Sequence, residues 1–524
     1  MKLFDVRGTP TQVMRPPLLQ LLRRRLILPL LVLLPIMVAG CASLSTPSRA
    51  PEARFLDAGP QAAVCARFFQ TLDRAVDQAG VADVQEARIS GFPYVRVNRF
   101  LAADWRPLPD DARFENWARH LMALDRRARE NEVANLPPSL RASILPQTDE
   151  GDVIAKRVND CGEFFLALDL SSPESRKRLS EGAAVPDGYR AIYRVAGLYP
   201  ITSIPFYLGV KGLQDEIQRD FSVPMESIAT QGRLIRYLSA SPDMVSPDDV
   251  AQILRRASNN PLGFPDPDAT DRIRLFKAFA PVLEIDVAQE ADRIGRPNYR
   301  SAEVAQVDTE MPVVYTRLSH TRFESKTLLQ LNYIFWFPSR PKKGAIDILA
   351  GHLDGISWRV TLDEDGTPLV FDSMHNCGCY HLFLPTQKLR RRETNEGFEE
   401  PLLSPQHLTW RNGRTVVRIA SRSHYLQRVY FQPAESAGGI EYRLEDYAML
   451  RSLPAAEGGR RSLFGEDSLV RGSERPERWL FWPMGVPSAG AMRQWGHHAT
   501  AFVGRRHFDD PELIARYFER VPSE

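Results

Sequence analysis

The densest run of chemically capable side chains is Asp372-Ser373-Met374-His375-Asn376-Cys377-Gly378-Cys379-Tyr380-His381, in a chain with only 10 His and 5 Cys. On an extended strand successive side chains alternate, so His375, Cys377, Cys379 and His381 share one face. Imidazole and thiolate together are the ligand set of zinc or copper(I). A straight strand spaces alternate residues about 6.7 Å apart, whereas ligands of one ion must approach within about 4 Å. A metal centre therefore requires a bend, which Gly378 permits, or ligands from elsewhere. His352, His497 and His498 are the candidates, with His507 behind them. The same bend would allow a Cys377–Cys379 disulfide, strained and reducible. A third chemistry is a Cys–His nucleophile oriented by Asp354 or Asp372. The fourth reading is structural: thiols that pack and imidazoles that hydrogen-bond in a core. The spacing is neither that of covalent haem attachment nor that of a zinc finger. No Gly-x-Ser-x-Gly, His-Glu-x-x-His or phosphate-loop pattern occurs.

The flanking residues predict a sheet to position this run. Leu329, Leu331, Tyr333, Phe335 and Phe337 alternate with Gln330, Asn332, Ile334 and Trp336, which is strand periodicity. Ile356, Trp358, Val360 and Leu362 repeat the pattern, Asp363-Glu364-Asp365-Gly366 turns the chain, and Leu369-Val370-Phe371 begins a return strand. Asn412-Gly413 predicts a hairpin between Leu408–Trp410 and Thr415–Ile419. Upstream the period is helical. Val64, Phe68, Leu72 and Val76 form a stripe ended by Gly80, Phe114, Trp117, Leu121 and Leu124 a second, and Leu213, Ile217 and Phe221 a third. Ser246-Pro247-Asp248-Asp249 is a helix start, and His120 reads as a packing residue. The expected class is α+β. A mainly helical region spans 61–300, a mostly antiparallel sheet domain 301–440, and a loop-rich α/β segment 441–524. That last segment ends in a short helix opened by Asp510-Pro511.

The first residues have another character. Lys2, Arg7, Arg15, Arg23, Arg24 and Arg25 precede an apolar run, Leu26 to Met37, too short to span a bilayer as a helix. Then comes Val38-Ala39-Gly40-Cys41, which resembles the lipobox of bacterial lipoproteins. The resemblance covers only these opening residues, and the body of the chain resembles no family. It implies a signal peptide over 1–40, cleavage before Cys41, and acylation of that thiol. Ala42 in the sorting position implies the periplasmic face of the outer membrane, with membrane lipid as the partner of Cys41. Residues 41–60, rich in Ser, Pro and Ala, read as a flexible tether.

The whole chain carries 67 basic and 65 acidic residues; without residues 1–40 the remaining 484 carry 61 and 64. The slight basicity belongs to the signal, and nothing suggests nucleic-acid binding. Lys388-Leu389-Arg390-Arg391-Arg392 reads as a solvated basic run. In an oxidising compartment the four remaining cysteines should be bonded or metal-bound. Cys65–Cys161 is the expected pair, because Cys377 and Cys379 are neighbours. The functional expectation is a membrane-anchored protein with a binding or envelope-associated role that binds a metal through the His/Cys cluster. The alternative is a periplasmic hydrolase or redox enzyme using that cluster. An enzyme should place the cluster at a pocket; a structural role should bury it dry.

Overall fold

The computed structural model describes residues 53–522, except 104–109, 146–149, 241–244, 301–303, Ala345, 394–397 and 434–437. Cys41 and the residues before it lie outside the described residues. The class is α+β, and the described residues form one compact unit.

The helical stripes form helices as their spacing predicts. Helix α1 (Pro60–Ala79) buries Phe68, Leu72 and Val76 and stops at Gly80, which takes the left-handed conformation with φ 63°. Helix α2 (Asp111–Asn135) starts where the Asp110 side chain accepts the Arg113 N–H at 2.7 Å, and it buries Trp117 and Leu121. Helix α3 (Gly151–Leu170) lies against both and carries Cys161, which is disulfide-bonded to Cys65 of α1. Ala53–Asp57, in the stretch expected to be tether, is a short helix whose Phe55 is buried beside Phe165. Two further helices, α4 (Ala191–Ala196) and α5 (Tyr199–Ser222), lead to α6 (Pro247–Ala257) and α7 (Ala269–Ala278). As predicted, the Ser246 side chain caps α6, accepting the Asp249 N–H at 3.1 Å.

The sheet has ten strands. In chain order they are β1 (Arg233–Ser239), β2 (Val282–Val287), β3 (Val313–Phe323), β4 (Lys326–Arg340), β5 (Gly351–Leu362), β6 (Pro368–His375), β7 (Leu382–Pro385), β8 (Arg414–Ile419), β9 (Leu426–Gln432) and β10 (Ile440–Asp446). Their order across the sheet is β7-β6-β5-β4-β3-β10-β1-β2-β8-β9. The run β3 to β7 is an antiparallel meander with Tyr333 opposite Trp358 and Phe371 opposite Val360. The other half is mixed, because β10 pairs parallel with both β3 and β1, and β8 pairs parallel with β2.

Three sequence expectations are corrected here. Two sheet strands, β1 and β2, come from the region expected to be helical, and a third, β10, opens the segment expected to be loop-rich. The predicted hairpin at Asn412-Gly413 does not form. Strand β8 turns into β9 through 420–425, while Leu408 bridges Thr386 instead. The sheet is also buried on both faces. Leu331, Tyr333, Phe335, Trp358 and Val360 pack under α6, α7 and the C-terminal half of α5. Ile334, Trp336 and Met374 pack on the other side under Trp495 and Phe508. Gln330 and Asn332, which share that second face, are buried too, and their amides bond Thr361, Ser319 and the Arg317 carbonyl.

Candidate functional site

Strand β6 delivers His375 to the end of the sheet, and the chain then bends. Gly378 takes φ 96°, its N–H donates to the His375 carbonyl at 2.7 Å, and the His375 N–H donates to the Cys379 carbonyl at 2.9 Å. The bend that a metal centre requires is therefore present, yet it does not gather the four candidate ligands. His375 and His381 leave in different directions and enter separate buried lattices.

In the first lattice the Asp354 carboxylate accepts from His375 Nδ1 at 3.3 Å, His424 Nδ1 at 2.8 Å and Arg475 at 3.1 Å. Burial opposes the Asp354 charge, but Arg475 and the two imidazoles outweigh it and hold this carboxyl well below its usual range. His424 stacks on Phe337 and stands 3.5 Å from Asp292, so its pKa is raised despite burial. Its ring lies between two carboxylates, both of which favour the protonated form. Burial lowers the pKa of His375, only partly opposed by Asp354.

In the second lattice Arg359 makes a forked contact to Asp372, and His381 Nε2–H donates to Asp372 at 2.9 Å. Burial pushes His381 down to about 4. Its ring is neutral, so Nδ1 is free to accept from the Thr500 hydroxyl at 3.3 Å. This hydroxyl–imidazole–carboxylate chain has the members of a catalytic triad. All three residues are buried, however, and Arg359 already neutralises the carboxylate. The space beside His375 measures only about 10 Å³, room for about one water.

The other candidates are held separately by backbone groups. His352 donates to the Ala305 carbonyl (2.6 Å), His497 to Val84 (2.8 Å) and His498 to Asn376 (3.1 Å), while His507 accepts from the Gly188 N–H (3.2 Å). Cys377 and Cys379 are free thiols. A hydrogen bond from Cys379 lowers the Cys377 pKa, and the same bond, with burial, raises that of Cys379. Among the described residues no group of three or more His, Cys, Asp or Glu is placed to hold a metal ion. His375, Cys377 and His381 are buried, and Cys379 is partly exposed.

The space for a ligand lies elsewhere. A cleft of about 580 Å³ opens between α2 and α7 on one side and the middle of β3 and the end of β10 on the other. That is the size of a small-molecule site. Its floor is aromatic. His320 of β3 lies 5.0 Å from Phe100 and 4.9 Å from Phe264, and His120 of α2 lies 4.9 Å from Phe264. Burial pushes His320 down to about 4, and its Nε2–H donates to the Pro265 carbonyl at 2.7 Å. Phe276 and Trp495 add to the apolar lining, with Leu124 and Ile273 beside them in the wall.

The rim is charged. Six cations and five acids line the cleft. Glu86 pairs with Arg317 (3.2 Å) and Arg451 (3.3 Å); burial opposes its charge, but those two guanidiniums bring its pKa down to about 2. Asp509 pairs with Arg99 at 3.1 Å, Asp266 with Arg272 at 3.9 Å, and Glu445 with Arg296. Asp446 caps the turn at Ala448. Arg127 and Lys277 have no carboxylate partner among the described residues. Burial, then the nearby guanidinium of Arg317, and further Arg272, pull the Arg127 pKa down. Nε of both Arg272 and Arg317 is buried without a hydrogen-bond partner. Arg127 thus lines an aromatic-floored cleft without a carboxylate of its own, beside Arg317 and Arg272, which already hold Glu86 and Asp266; an anion would relieve the charge that remains.

Sequence reasoning missed this site because its residues come from Glu86 to Asp509 with no local spacing to betray them. His120, read as a packing residue, is one of its walls. Comparison with protein-family models, with curated proteins and with solved structures found no match for the chain.

Proposed function

We propose that the chain is an envelope lipoprotein, anchored through acylated Cys41 at the periplasmic face of the outer membrane. On this reading its body is a binding module for an anionic amphiphile. The ligand carries a carboxylate or phosphate that pairs with Arg127 and Arg317, and an apolar portion that lies against Phe100, Phe264, Phe276 and Trp495. The observation that carries the reading is the Arg127 guanidinium, without a carboxylate partner among the described residues, over an aromatic floor in a space of about 580 Å³. The lipobox supports the location, and the balanced charge of the body fits a selective local site better than a broad electrostatic surface. The His/Cys cluster then has a structural role, pinning the loops that close the sheet, and no metal is required of it.

Calorimetric titration with dodecyl phosphate, and with dodecyl maltoside as the uncharged control, tests the reading. The wild-type body should prefer the phosphate at least tenfold, and Arg127→Ala should erase most of that preference while leaving maltoside binding unchanged. Equal affinity for the two amphiphiles, or a preference that survives Arg127→Ala, contradicts it. Anchoring is tested separately: Cys41→Ala should abolish incorporation of labelled fatty acid, and persistent labelling contradicts that part.

A further inference from the structure

The third helical stripe, Leu213, Ile217 and Phe221, accounts for only half of α5. Ile217 and Phe221 join the main core, and Leu213 packs against it. The N-terminal half of the same helix projects from the body. Ile201, Ile204 and Leu208, at helical spacing i, i+3 and i+7, are 67%, 52% and 63% exposed. The surface continues through Ile192, Val195 and Leu198 of the preceding segment, all exposed. Helices α4 and α5 contact the turn Trp482–Met484, which follows Arg478–Phe481, where Trp479 is 73% exposed and Leu480 is exposed beside it. Phe206 on Phe481 (5.4 Å between rings) and Tyr193 on Trp482 (6.2 Å) hold these pieces together as one surface. Large contiguous apolar patches on a protein surface mark an interaction site.

The charge pattern selects the partner. No Asp or Glu occurs between Asp187 and Asp215, a stretch that carries exposed Arg190 and Lys211. Arg478 stands over the Trp479 ring at 4.7 Å. An apolar helical face edged by cations, with a Trp at its border, is the make-up of a segment that lies in the interface of an anionic bilayer. The helix is not apolar enough to cross: among the described residues no helix is long and apolar enough to span a membrane. Chain length agrees. Eleven residues lie between Cys41 and Ala53, so an anchor at Cys41 keeps the start of the body within about 40 Å of the acyl chains.

We infer that the surface formed by α4, the N-terminal half of α5 and Trp479-Leu480 docks on an anionic phospholipid bilayer, laying the body flat against the membrane. The inference goes beyond the cleft and does not depend on it. It is tested without the anchor, so its failure and that of the lipid-anchor reading are distinguishable. The chain from Arg49 onward forms one compact unit with its own cores, and it lacks both Cys41 and the apolar signal. Flotation with vesicles of phosphatidylglycerol and phosphatidylethanolamine should carry this body upward. The vesicle partition coefficient should fall at least tenfold in Ile201→Gln/Ile204→Gln/Leu208→Gln, and should fall with added salt and in Lys211→Glu. Circular dichroism checks the fold of the triple variant; if it is disturbed, Trp479→Gln/Leu480→Gln is read by the same criterion. Absence of wild-type flotation, or equal flotation of folded variants, overturns the inference. So does a wild-type dimer in sedimentation velocity that the same substitutions dissociate, because the surface would then bind a second copy.

Discussion

His320 sits between Phe100 and Phe264 as a neutral ring, with burial pushing its pKa down to about 4. Unfolded, the same side chain titrates near 6.5. Between those two values the unfolded chain binds a proton that the folded chain refuses, so stability rises with pH across that window and falls on acidification. His381, at about 4, and His498, at about 3, act in the same direction. Each can contribute a slope of up to about 1.4 kcal/mol per pH unit. His424 has the opposite sign: its raised pKa stabilises the fold below the unfolded value, and the contribution is lost as pH rises through the folded one. Urea midpoints at pH 7, 6 and 5 should therefore drop as the pH falls, and His320→Gln should flatten the drop. An unchanged slope in that variant would mean that the ring is protonated in the folded state. At this scale the sequence was partly legible. The pattern His375 to His381 drew attention to a buried polar lattice, but residue type alone could not separate ligands from hydrogen-bonding partners. Asp372 in the run and Asp354 were both in view as orienters, but His424, Arg475 and Thr500, which complete the two lattices, come from distant segments.

At the scale of elements, the bend at Gly378 determines where β6 ends and where both histidines go. A Cβ there would stand 2.5 Å from the Ala499 carbonyl, and φ is 96°. Gly378→Ala should therefore cost about 2 to 4 kcal/mol, more than the conformational term alone, as read from urea unfolding. A loss under about 0.5 kcal/mol, the range of an ordinary surface change, would show that the loop moves freely. Ser246→Ala, which removes only the cap of α6, should cost about 1 kcal/mol. Helices α1, α2 and α6 were legible from local signals: a stripe ended by Gly80 in α1, a stripe in α2 and the Ser246 cap in α6. Strands β1, β2 and β10 were not: β2 is buried at every position, so it lacks the alternation that identifies a half-buried strand. The Asn412-Gly413 turn misled because the partner of β8 is chosen by tertiary packing. The exposed half of α5 could have been found, since a long acid-free run with helical apolar spacing is visible in the sequence.

At the scale of the whole molecule, the helical layer and the sheet are joined through charge. Arg451 pairs with Asp83 at 2.5 Å and with Glu86 at 3.3 Å, and Glu86 also holds Arg317 at the cleft. Arg451→Ala leaves two carboxylates with one counter-ion fewer and should destabilise by about 3 kcal/mol or more, measured by denaturant unfolding. A change within about 0.5 kcal/mol would show that the two layers do not depend on this junction. The disulfide acts within the helical layer, joining Cys65 and Cys161 across a sequence separation of 96. Cys65→Ser/Cys161→Ser should cost about 2 to 4 kcal/mol. Binding in the cleft is tested most directly by a crystal structure of the body with 12-bromododecyl phosphate. The phosphate should lie within hydrogen-bond reach of Arg127 and Arg317, with the anomalous bromine signal inside the cleft near Phe264 and Phe276. A phosphate bound away from those guanidiniums, or an empty cleft at saturating ligand, would contradict the proposed function.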